Sequence, residues 1–251
     1  MKPQLILALS AAIALSSLGG ADAKPSASIA AAVADKARPE TDTKRDADRK
    51  PAEMLAFAGV KPGQTVGDFL PGGGYFTRLF SKTVGAKGTV YALVNVPLPD
   101  ATKPNPIIAV AAEPTYANIK VVESHFADLK VPKPADVIWT SQNYHDLFLT
   151  RFNLDIAAVN KAVFNALKPG GYYVVLDHAA AAGAPLVVTA NTLHRIDPAL
   201  VRSQLEAAGF KYVGESKVLA NAADDHTKLV FDPALRGHTD QFIYKFQRPL
   251  K

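Results

Sequence analysis

At 251 residues, with 48% hydrophobic and 20% charged side chains, the chain has the make-up of one sizeable globular domain, or at most two small ones, that needs no covalent staples. It contains no cysteine, which excludes disulfides, thiolate metal sites and cysteine nucleophiles. Its net charge of +5 is scattered, with no long basic run and no nucleic-acid motif, so no nucleic acid is expected as a partner.

Lys2 is followed by an apolar run from Leu5 to Leu18 and then by Ala21-Asp22-Ala23, the pattern of a cleaved secretory leader. That run is shorter than the roughly 20 residues needed to span a bilayer. The expectation is a signal peptide over 1–23, cleavage near Ala23, no stable membrane insertion, and a periplasmic or secreted mature protein. Residues 24–44 are rich in Ala, Lys, Asp and Pro and read as a flexible linker. The domain is expected to span 45–251, opening with a helix that carries Leu55, Ala56 and Phe57 and stops at Gly59.

A short apolar strand, Thr65 to Leu70, then runs into Gly72-Gly73-Gly74 and a helical pattern from Tyr75 to Val84. Thr89 to Val96 reads as the second strand, and the prolines at 97, 99, 104, 106 and 114 argue for a loop after it. Five further strands are expected at Ile119–Ser124, Asp136–Thr140, Gly171–Asp177, Lys211–Leu219 and Gln241–Phe246, with helices at Asn153–Leu167 and Pro198–Ala208. Strands alternating with helices imply a mainly parallel sheet covered on both faces. The last two strands, joined without a helical pattern, imply a terminal antiparallel hairpin.

A strand that ends in a glycine turn and opens a helix brings backbone N–H groups close to whatever lies above the sheet. The segment Val66 to Tyr75 resembles the first motif of the class I S-adenosylmethionine-dependent methyltransferases, with Asp68, Gly72 and Gly74 matching and Leu70 standing where that family has its first glycine. Val90 to Asn95 resembles the second strand, with Val94 in place of the usual acid. Phe126-Ala127-Asp128-Leu129, Asp136 to Trp139, and Leu167-Lys168-Pro169-Gly170-Gly171-Tyr172 are similar to the later landmarks. The order of elements extends the likeness over most of the chain, and the flanking motifs more narrowly resemble a bacterial subgroup of exported methyltransferase-like proteins. The resemblance implies a Rossmann-like fold with a seven-stranded sheet and S-adenosylmethionine as cofactor. It implies cofactor contacts at Asp68, Pro71, Gly72, Gly73, Gly74, Tyr75, Asn95, Asp128 and Asn143.

Chemistry is expected in the loops after the strands. His145 reads as a general base oriented by Asp146, because an imidazole suits proton transfer at neutral pH. Tyr144 reads as an aromatic wall for a sulfonium cation. His178 and His194 read as further base or substrate contacts. Asp177, His178, His194 and Asp197 share no compact ligand spacing, so no metal is expected. Ala179 to Thr192 reads as a lid or a plain crossover loop. The expected activity is methyl transfer to an N or O nucleophile of a small molecule. The alternative is a catalytically inactive binding or scaffolding protein of the periplasm that kept the fold.

Overall fold

Residues 24–96 and 102–251 are described by the structure, a computed structural model. The expected leader, with Pro97 and Pro99, lies outside them. The described chain opens with α1 (Ala27–Val33), capped by the Ser26 hydroxyl, which accepts the Ile29 N–H. Two single-turn helices follow, α2 (Glu40–Thr43) and α3 (Asp46–Arg49), and then α4 (Pro51–Ala58). Pro51 at the first turn separates α3 from α4 because it has no N–H to continue a helix, and Gly59, at φ 77°, closes α4.

This opening corrects the expectation of a flexible linker over 24–44. Ile29 and Ala32, one helical turn apart, are buried, Ile29 in the main core, and α1 packs on α4 and α5. The Arg38 guanidinium grips the Asp46 carboxylate with two bonds of 2.8 and 2.6 Å. The apolar residues are few but fall on one face, which is what docking needs and what average composition conceals. The folded unit therefore starts near Ser26 rather than Arg45.

The strand–helix alternation then unfolds as β1 (Thr65–Phe69), α5 (Tyr75–Val84), β2 (Thr89–Val94), α6 (Ile107–Ala112), β3 (Ile119–Glu123), β4 (Ala135–Ser141), α7 (Ile156–Ala166) and β5 (Leu167–His178). It ends with α8 (Leu186–Leu193), α9 (Pro198–Ala207), β6 (Lys211–Ser216) and β7 (Gln241–Gln247). The seven strands lie in the order β3-β2-β1-β4-β5-β7-β6. β1 to β5 pair in parallel, and β7 runs antiparallel to both β5 and β6. The mainly parallel sheet with an antiparallel terminal pair is thus as the sequence implies, although α6 and α8 form inside segments read as loops.

Successive strand residues face opposite layers. Val137 and Trp139 join Val66 and Leu176 in a core beneath α1, α4 and α5, whereas Ile138, Tyr173 and Val175 join Phe69 in a second core beneath α7 and α9. Both faces are covered, as a parallel sheet requires.

Candidate functional site

Between β1 and β4 the strand order reverses direction, and in open α/β sheets the crevice at such a point, beyond the carboxyl ends of the strands, takes the ligand. A cavity of about 430 Å³ lies there. Asp68, Pro71, Gly72, Gly73, Tyr75, Asn143, His145, Asp146, His178 and His194 all line it, so most of the candidates drawn from distant loops converge on one space.

The glycine turn forms one wall. Leu70 holds φ at 62°, a left-handed conformation that costs an L-residue about 1–2 kcal/mol and explains why a glycine is the easier choice there. Gly72 is also left-handed, and a Cβ added to it would meet nothing within 4 Å. Gly74 is the opposite case: a Cβ there would stand 2.9 Å from Ile107 Cδ1, so this glycine admits α6 rather than a ligand.

Asp68 is buried at the end of β1, where the Thr77 hydroxyl donates to it at 2.6 Å. Burial pushes its carboxyl up to about 7, against the opposing pull of Thr77 and of Arg49. Arg49 enters from α3, lies 4.8 Å over the Tyr75 ring, and donates to the Gln142 side chain. Burial lowers its guanidinium to about 10. The same N-terminal arm ties down the turn itself: Tyr75 donates to Asp46 at 2.6 Å, and Arg78 donates to Asp42 at 3.0 Å and to the Gly73 carbonyl at 2.9 Å. Nothing in the sequence pointed to Arg49 or to this clamp, because each bond the arm makes here joins residues far apart in the chain.

The opposite wall is a hydrogen-bonded histidine cluster. Asp177, fully buried at the end of β5, accepts the backbone N–H groups of His145 and His178 at 2.7 and 2.8 Å and the His145 ring Nδ1–H at 2.8 Å. Burial alone raises the Asp177 carboxyl, but His145 beside it outweighs that and holds it below the usual carboxylate range. Burial likewise disfavours a charged His145, yet Asp177 and Asp146 overcome this and raise it to about 10. That changes the part expected of His145, since an imidazole already protonated at neutral pH is not a base. Burial instead lowers His178 to about 4 and keeps it neutral, with Nδ1 2.7 Å from the Thr239 hydroxyl.

Several expected contacts fall elsewhere. Asp128 is exposed, pairs with Lys130 at 2.6 Å, and lines a separate surface depression beside α7 rather than this cavity. Tyr144 is buried in the second core, accepting from Asn160 and donating to Gln204, and does not line this cavity. Asn143 does reach the cavity, but its amide also braces the turn by donating to the Leu70 carbonyl at 2.8 Å. Asn95 follows β2 outside this cavity, with its buried Oδ1 lacking a hydrogen-bond partner. Val230 and Phe231, from the connection between β6 and β7, complete the rim.

No protein-family model and no curated protein sequence matches the chain. Solved structures do resemble it. A SAM dependent methyltransferase from Aquifex aeolicus is 20% identical, with 80% of this chain and 88% of that one covered and a TM-score of 0.54. A putative sarcosine dimethylglycine methyltransferase from Galdieria sulphuraria is 18% identical over 84% of this chain and 88% of that one, with a TM-score of 0.56. The [4+2]-cyclase SpnF is 15% identical over 82% of each chain, with a TM-score of 0.58. At such identities the likeness is one of fold, and it includes an enzyme described as a cyclase.

Proposed function

We propose that this protein is an S-adenosylmethionine-dependent methyltransferase that modifies an N or O nucleophile of a small molecule. The observation that carries the reading is the cavity at the strand-order reversal, walled by a glycine turn whose Gly72 leaves open space where a side chain would stand. The cofactor supplies an electrophilic methyl group on a sulfonium sulfur. Its amino-acid end carries one carboxylate and one ammonium, and the cavity offers Arg49 and Asp68 as partners of matching charge.

Methyl transfer of this kind is an in-line displacement governed by positioning, so little acid–base chemistry is asked of the protein. His178, uncharged in its buried seat and facing the cavity, is placed to hold the nucleophile's hydrogen. The absence of an acid at Val94 favours one rival, a binding protein that kept the fold and uses the cleft for another ligand. Calorimetric titration with S-adenosylmethionine and with S-adenosylhomocysteine separates the two, since the enzyme reading predicts heat from both and fails if neither gives any. Export belongs to the same proposal and rests on the leader pattern ending at Ala23. N-terminal sequencing of protein recovered outside the cytoplasm, starting at Lys24, is the expected result.

A further inference from the structure

Three potential ligand atoms meet at the histidine wall of the cavity. His145 Nε2 is 3.2 Å from His194 Nδ1 and 3.3 Å from Asp146 Oδ1, and the His194 and Asp146 atoms are 3.6 Å apart. The Asp146 oxygen is an acceptor, and each imidazole nitrogen is one whenever its proton sits elsewhere. His145 has committed its Nδ1–H to Asp177, so the second proton that Asp177 and Asp146 favour on it lies on Nε2, inside the triangle, where an ion would displace it.

A metal ion satisfies all three at once. Two atoms each bound about 2.1 Å from one ion at a tetrahedral angle stand about 3.4 Å apart, which is the size of this triangle. A metal-bound histidine ordinarily gives its other ring nitrogen to a carboxylate, as His145 does to the fully buried Asp177. Asp146 and Asp177 bring two negative charges, the number a divalent cation neutralises. The His194 backbone adds a third sign: it is held at φ 54°, a left-handed strain for a residue with a Cβ, at the end of α8, and the result is that its ring meets His145.

We propose that His145, Asp146 and His194 bind one divalent first-row transition metal ion of the zinc type, with its remaining coordination positions open to the cavity. Two imidazoles and one carboxylate suit zinc, iron(II) or cobalt(II) rather than calcium or magnesium, which prefer all-oxygen sites. Arg151 lines the same cavity, so the ion and this guanidinium together would favour an anionic oxygen ligand.

Cobalt(II) titration of the purified, chelator-treated protein tests this through the visible absorption of the bound ion. One equivalent is expected to bind with the intensity of a four- or five-coordinate site. His194→Ala should weaken binding by at least about 100-fold, and Asp177→Asn, which acts through His145, by about 10- to 100-fold. His226→Ala, at a histidine paired with Asp240 away from the cavity, should leave it unchanged. Where His194→Ala does not melt cooperatively, His194→Asn takes its place, because asparagine tolerates the left-handed backbone. Absence of a cobalt band in the wild-type protein at about millimolar metal, or unchanged affinity on loss of His194, overturns the site.

Discussion

Gly72 and Gly74 sit two residues apart in one turn, both left-handed, and replacing each with alanine should produce opposite failures. Either substitution carries the left-handed penalty of about 1–2 kcal/mol. In Gly72→Ala nothing else is added, because no atom lies within 4 Å of the new methyl group. In Gly74→Ala the methyl lies 2.9 Å from Ile107 Cδ1 and 3.3 Å from Val110 Cγ2, both in buried residues, and overpacking adds about 1–3 kcal/mol. At about 2–4 °C per kcal/mol for a domain of this size, Gly72→Ala should lower the melting temperature by roughly 2–8 °C and Gly74→Ala by roughly 4–20 °C. Ligand binding should reverse the order. Gly72 lines the cavity, and a methyl group there should weaken S-adenosylhomocysteine by 10-fold or more, about 1.4 kcal/mol, whereas the Gly74 variant should bind normally while folded. Paired thermal melts and titrations read both effects. Unchanged affinity in Gly72→Ala would move the ligand away from the turn and refute the reasoning.

Ile29→Ala should cost about 2–5 kcal/mol in urea unfolding, since Ile29 is 2% exposed against α4 and α5, and a loss within about 0.5 kcal/mol would return the arm to a mere tether. Asp68→Asn should stabilise the ligand-free protein and weaken cofactor binding. Asp68 ionises near 3.8 in the unfolded chain but near 7 in the fold, so ionisation penalises folding progressively from pH 4 upward and fully above pH 7. The gain in melting temperature from Asp68→Asn should therefore be larger at pH 8 than at pH 5, and an equal gain at both would show that Asp68 is not held protonated by burial.

Much of the fold is visible in the sequence because its strands are continuous apolar runs and its helices are amphipathic. α5 begins and ends where the pattern from Tyr75 to Val84 places it, and α9 differs by one residue. Periodicity fails where helices are short. α1 has two well-buried residues, and α8 exposes Val187 and Val188, so neither shows a clear apolar stripe. The glycine turn is legible because backbone conformation is local. Arg49, Arg78 and Asp42 are not, because their partners lie across the fold from the arm. The histidine cluster shows the same limit: His145 and Asp146 follow β4, His194 follows α8, and only the parallel pairing of β4 with β5 brings them together. Spacing within one segment groups Asp177, His178, His194 and Asp197, of which only His194 enters the triangle, and Asp177 lies behind His145 rather than at the cavity.

The arm that carries Arg45 and Arg49 and the connection that carries Val230 and Phe231 come from opposite ends of the chain, and neither belongs to the sheet. One fixes how the glycine turn is covered, and the other fixes the far rim. The lining of the mouth is therefore separable from the order of the strands. Exchanging Arg45, Arg49, Val230 or Phe231 singly redraws the mouth of the cleft while every strand keeps its neighbour, which gives evolution and protein engineering two independent places to change what enters.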